Sequence, residues 1–182
     1  MKDTDLMKAV DLLKAGEVVA YPTEAVFGLG CDPFDRNAVE KLFHVKQRPM
    51  EKGVILVAAS VDQIQPYVQL SGTPWEASVL GTWPGPVTWV LPLKKAMPDW
   101  ITGGRDTVAI RVSDHPVVQQ LCNAFGQPIV STSANLTTQP PARSCKEVVE
   151  AFGDSLFCLK GELGGLDKPT QIRDARSGQI LR

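Results

Sequence analysis

Apolar residues in this chain come in runs no longer than a strand, and segments of helical spacing separate most of those runs. The runs "VVAY", "VILVAA", "VTWVLPL", "TVAIRV", "PIVST" and "LFCL" carry many β-branched and aromatic residues, which suit a pleated surface. Leu6, Ala9, Val10 and Leu13 recur on one helix face, and Gly16 is placed to end that helix. Ala38, Leu42, Phe43 and Val45 mark a second helix, with Pro49 just beyond it. Ser60 or Asp62 can cap a short helix near Pro66. Asp114 is placed to cap another, carrying Val117, Val118, Leu121, Cys122 and Phe125 and closed by Gly126. Ser144 and Glu147 form a capping-box pattern for a helix that stops at Gly153.

The alternation is not strict. Between "VTWVLPL" and "TVAIRV" there is no helical signal, only prolines and a Gly-Gly pair, and "IRDARSGQILR" reads as a hairpin. The expected fold is therefore α/β, a twisted sheet of mixed parallel and antiparallel strands with flanking helices. With 182 residues, no repeat and no linker-like shift in composition, residues 1–182 read as one domain.

Charge and cysteine content narrow the function. The formal net charge is −1, so nucleic acid could be bound only through a local basic cluster. No apolar run is long enough for a membrane span, and "MKDTDLMKAV" has no signal-peptide core, so a cytoplasmic protein is expected. Cys31, Cys122, Cys145 and Cys158 show no C-x-x-C pair, and reduced thiols are the expectation for all four.

Polar clusters stand where apolar strands end: "PTE" after "VVAY", "STSAN" after "PIV" and "RVSDH" after "VAI". Ligands in open α/β sheets usually bind past strand ends. Such residues also cap helices and turns, and Asp114 fits that plainer role. "STSAN" holds more hydroxyls than one helix start can use, which points to a pocket for a small ligand. Lys46, Arg48 and Lys52 lie close together, with Arg111, Arg143 and Arg173 near other strand ends or loops. Taken singly each reads as a solvated surface charge. Converging on one cleft, they would bind an anion such as phosphate. No phosphate-binding glycine loop is present, so side chains would do that work. Two histidines without metal-ligand spacing read as structural, and the four tryptophans as packing.

The strings "AYPTEAVFGLGCD", "KQRPMEKG", "WPGPVT", "VAIRVSDHP", "VSTSANLT" and "IRDA" occur in an order that resembles the YrdC-like family, the threonylcarbamoyl-AMP synthases. The resemblance runs from about residue 15 to the last residue. It includes the K-x-R and S-x-N signature, met by Lys46, Arg48, Ser133 and Asn135. It implies a concave, positively lined cavity and the synthesis of threonylcarbamoyl-adenylate and pyrophosphate from L-threonine, bicarbonate and ATP. The product would serve a separate transferase complex that modifies adenosine 37 of tRNAs reading ANN codons.

By the same resemblance, Thr23 and Glu24 would face threonine and carbamate, with Ala25, Val26 and Phe27 as an apolar wall. Gly28 and Gly30 would permit close backbone approach or positive φ. Lys46 and Arg48 would hold carbamate and phosphate oxygens, Arg111 and Arg143 would balance polyphosphate charge, and Ser133 and Asn135 would bond substrate and phosphate. Ser131 and Thr132 would shape the same wall, Lys52 would add a basic group to the substrate site, and Thr170 would contact nucleotide. Magnesium would arrive on the phosphates of ATP, without a dedicated protein site. Two other readings are a non-catalytic binder of double-stranded RNA or tRNA, with weak binding expected, and a carbamoyl-transfer module. The charge balance counts against the first, and the missing C-x-x-C pairs against the second.

Overall fold

The computed structural model describes residues 2–49 and 52–182. Its strands are β1 (Val19–Pro22), β2 (Phe27–Gly30), β3 (Ile55–Ala58), β4 (Val87–Pro92), β5 (Thr107–Val112), β6 (Ile129–Ser133), β7 (Phe157–Cys158) and β8 (Gln171–Asp174). They form one sheet in the order β7-β1-β2-β6-β3-β5-β4-β8. Neighbours β1/β2, β2/β6, β3/β6 and β4/β5 are antiparallel, whereas β1/β7, β3/β5 and β4/β8 are parallel. The mixed sheet is as the sequence predicts. The terminal hairpin is also present, with an antiparallel bridge between Arg173 and Ile180.

The two faces of this sheet are covered unequally. One face packs with α2 (Arg36–Lys46) and α7 (Cys145–Phe152) in the larger core, which holds Leu29, Leu56, Val108, Ile110, Val112 and Val130. The other meets α1 (Asp3–Lys14) and α6 (Pro116–Phe125) in a smaller core with Val19, Tyr21, Val57 and Ile129. Register places Arg111 beside Val57, and Ser131 and Ala109 beside Ile55, on that second face. α1 and α6 cover only part of it. The remainder is open, and Thr107 and Arg111 of "TVAIRV" and Ser131 and Ser133 of "IVSTS" alternate onto that side.

Several expectations change. "FGLG" is a strand, β2, so "YPTEAVFGLG" is a β-hairpin in which Pro22 pairs with Phe27. Neither Gly28 nor Gly30 has positive φ. Close approach explains Gly30: a Cβ there would sit 2.5 Å from the Val130 carbonyl and 2.8 Å from the Tyr21 ring. Tyr21 is fully buried against this strand, and its hydroxyl donates to the Val130 carbonyl at 3.2 Å. A one-turn helix, α5 (Asp99–Thr102), lies in the segment between β4 and β5 that shows no helical signal, and a second short helix, α4 (Glu76–Leu80), precedes β4. The remaining short helix is α3 (Val61–Ile64), after Ser60.

Asp114 does not cap α6. His115 occupies that position with Pro116 at the first turn, and the hydroxyl of Ser113 accepts the His115 N–H. The Ser144–Glu147 cap of α7 forms as expected. Cys145 and Cys158 are joined in a disulfide, which ties the start of α7 to β7, so the expectation of four reduced thiols is corrected. Cys31 and Cys122 are free and buried. The tryptophans pack, Trp83 and Trp89 in the larger core and Trp75 and Trp100 against it; His115 is buried with Nε2 against the Glu162 carbonyl, whereas His44 is exposed.

Candidate active site

The open part of the sheet floors a cavity of about 540 Å³, within the roughly 300–1,000 Å³ of small-molecule sites. Its walls include Thr23, Ala25, Val26, Phe27 and Gly28 of the β1–β2 hairpin. Ser131, Thr132, Ser133 and Asn135 come from β6 and its end, and Thr107, Ala109 and Arg111 from β5. Five cations, Arg48, Lys52, Arg105, Arg111 and Arg182, line it, and among the described residues no Asp or Glu does. A chain of net charge −1 thus concentrates positive charge in one concavity. Such a site selects anions: among the described residues only Arg111 of the five pairs with a carboxylate, and the others keep donors for a ligand.

Arg111 is the most constrained of the five. It is 4% exposed. Nε donates to Glu24 Oε1 at 3.1 Å, and Nη1 lies 3.4 Å from Thr88 Oγ1 and 3.2 Å from Thr170 Oγ1. Glu24 was expected to face the ligand beside Thr23. It is instead buried behind the wall, because Arg111 and the Ser113 hydroxyl both bond to its Oε1. Thr23 does reach the cavity, and its hydroxyl donates to the Val26 carbonyl at 2.7 Å, closing the hairpin loop.

Lys46 also lies behind the wall. It is buried at the end of α2 and donates to the backbone carbonyls of Ser133 and Asn135. Burial, and then the nearby Arg48 charge, lower its pKa to about 8. Arg48 is half-buried on the wall, with Nη2 donating to the Gly53 carbonyl at 3.1 Å and Nε buried without a partner among the described residues. Burial lowers its pKa too. Ser133 Oγ donates to Asn135 Oδ1 at 2.6 Å, and Asn135 Nδ2 to the carbonyls of Leu136 and Gln139, which shapes the loop after β6.

Lys52, Ser131, Thr132 and Thr170 stand on the cavity wall where the sequence places them. Arg143 does not: its side chain is exposed and is not among the lining residues. Arg173 instead lies over the Trp89 ring at 5.8 Å. Arg105 and Arg182 were missed. Arg105 follows a Gly-Gly turn and Arg182 ends the hairpin, and neither belongs to a motif that marks a ligand. Burial, followed by the charge of Arg111, lowers the pKa of Arg182, as expected for two cations facing one space. Among the described residues, no cluster of three or more His, Cys, Asp or Glu could hold a metal ion. No helix among them is long and apolar enough to cross a membrane.

A family model covering Sua5, YciO and YrdC, described as "Telomere recombination", matches residues 11–182. The chain belongs to this family. It is 53% identical over 173 residues to the threonylcarbamoyl-AMP synthase of Vibrio campbellii, covering 93% of this chain and 94% of the relative. The synthase of Photobacterium profundum is 53% identical over 182 residues, covering 98% of each. Among solved structures, Sua5 of P. abyssi complexed with L-threonine superposes with a TM-score of 0.89 at 34% identity. That match covers all of this chain and 54% of the P. abyssi chain. The fold shared with Sua5 is a single mixed α/β sheet flanked by helices.

Proposed function

We propose that this protein is a threonylcarbamoyl-AMP synthase. It joins L-threonine, bicarbonate and ATP into L-threonylcarbamoyladenylate and releases pyrophosphate. The observation that carries the reading is the cavity itself: five cations and a set of hydroxyls beside an apolar wall, with no Asp or Glu among the described lining residues. Support comes from relatives named for this activity at 53% identity and from threonine bound to a 34% identical Sua5.

The chemistry asks for positioning and charge neutralisation rather than a strong base. Threonine amine and bicarbonate give a carbamate with loss of water. A carbamate oxygen attacks the α-phosphorus of ATP, the P–O bond to the β-phosphate breaks, and pyrophosphate leaves with that electron pair. Arg48, Lys52, Arg105 and Arg182 neutralise phosphate charge, and Arg111 serves substrate and nucleotide. Lys46 organises the S-x-N loop and keeps one N–H for a ligand oxygen, since two of its three are engaged by carbonyls. Ser133 and Asn135 bond substrate and phosphate, Ser131 and Thr132 shape the wall, and Thr170 meets the nucleotide. Thr23 takes the threonine side, where Ala25, Val26 and Phe27 accept the methyl group. Arg143 is left without a role here.

Magnesium enters on ATP, which supplies its phosphate ligands, and no step is assigned to it. The adenylate then passes to the tRNA-modifying transferase complex, a cytoplasmic role in which free tRNA binds this chain weakly at most. No observation on the structure favours RNA binding as the primary activity. The test is one assay: pyrophosphate must appear from ATP only when threonine and bicarbonate are both present, with the adenylate seen by mass spectrometry. Pyrophosphate release independent of threonine would end this reading.

A further inference from the structure

We propose that Ser113 is a positioning residue for this reaction, acting through Glu24 to fix the guanidinium of Arg111; the proposal rests on Arg111 being a ligand-binding group in the cavity. Ser113 is fully buried just past β5, two residues beyond Arg111. Its Oγ accepts the His115 N–H at 3.1 Å, so its single proton is free for Glu24 Oε1 at 2.7 Å. Oε1 also accepts Arg111 Nε, while Oε2 is buried without a partner among the described residues. The carboxylate therefore hangs on one oxygen, held by one hydroxyl and one guanidinium.

The consequence reaches the cavity. Nε of Arg111 is occupied by Glu24, and Nη1 by Thr88 and Thr170, so two edges of the planar group are tied. Nη2 has no partner among the described residues and is the nitrogen left for a ligand. Without the Ser113 hydroxyl, Glu24 loses one of its two bonds and gains rotational freedom. Arg111 then loses the orientation of its free edge. Misplacing a ligand-binding group by an ångström can cost about 10²-fold in rate. A purely local role for Ser113, in the turn that starts α6, would leave Arg111 untouched.

The experiment uses the full chain labelled with ¹⁵N. The Arg111 Nε–H resonance is assigned by its loss in Arg111→Lys, and its solvent exchange is measured without substrate. Ser113→Ala should speed that exchange about tenfold and lower kcat/KM for threonine about tenfold, with a cooperative melt retained. Ser113→Ala with Glu24→Gln should be no worse than Glu24→Gln alone, because the two act in series. If Ser113→Ala does not melt cooperatively, Ser113→Cys, a weaker donor, carries the same comparison. Unchanged exchange, or losses that add in the double variant, would overturn the proposal while the functional reading stands. A protected Nε–H in a wild type that makes no threonine-dependent pyrophosphate would sink both.

Discussion

The ammonium of Lys46 donates to the backbone carbonyl of Asn135 across 2.9 Å, 89 residues away in sequence, and also to the carbonyl of Ser133. The end of α2 is thereby tied to the end of β6. K-x-R and S-x-N, two separate strings in the sequence, are one physical unit. Lys46 is buried, so its charge is retained at a desolvation cost that the two carbonyls offset.

Lys46→Ala is expected to lower stability as well as rate. The position at a helix end suggests a cheap truncation, but it removes the Lys46 bond from two carbonyls, of which that of Ser133 keeps the Asn135 N–H at 3.0 Å. The rate should fall about 10²–10³-fold, the usual effect of removing one transition-state donor. Lys46 is charged below about pH 8 and neutral above it. Anion binding favours the charged form, so kcat/KM should fall as pH rises through about 8. Lys46→Arg, if active, should move that limb upward. A pH–rate profile flat from 7 to 9 would refute the role.

Thr23→Val tests the hairpin. The hydroxyl proton is already given to Val26, so toward a ligand this oxygen can only accept. Removing it should cost about 0.5–1.5 kcal/mol of stability and raise KM for threonine, whereas Thr23→Ser should keep both near wild type. Melting curves and threonine titrations separate the effects. Loss of stability with unchanged threonine kinetics would make this hydroxyl turn chemistry alone.

The two glycines of β2 should differ. A Cβ at Gly30 meets the Val130 backbone at 2.5 Å, and one at Gly28 meets only side-chain atoms, at 3.2 and 3.4 Å, before the Thr132 carbonyl at 3.5 Å. Gly30→Ala should therefore destabilise by roughly 1–3 kcal/mol or more, since β6 has to shift. Gly28→Ala should melt closer to wild type. Equal melting temperatures for the two variants would contradict the packing.

Cys145→Ala removes a cross-link between residues 13 apart in sequence. A loop of that size is worth about 3 kcal/mol in chain entropy. For a domain of this length the midpoint should drop by about 6–12 °C, and reducing agent should lower the wild type to match. Neither cysteine lines the cavity, so the rate should be little changed. Identical melts with and without reductant would show that the bond contributes nothing.

Much of this architecture was legible in the sequence because it depends on local periodicity. The alternation in "TVAIRV" puts Val108, Ile110 and Val112 in the core and leaves Thr107, Ala109 and Arg111 for the other face. "FGLG" escaped because glycines carry no strand signal, and the reason for Gly30 is the Tyr21 ring and Val130 carbonyl on neighbouring strands. The site was read less fully. Thr23 and Glu24 are adjacent in sequence, yet one reaches the cavity and the other is drawn behind it by Arg111 and Ser113, 87 and 89 residues away. Arg143 has only the family resemblance to recommend it and is exposed, while Arg105 and Arg182 have neither motif nor resemblance and line the wall. Local pattern determines which residues share a strand face. Which charges converge depends on long-range strand order and loop packing, so only the tertiary structure decided it.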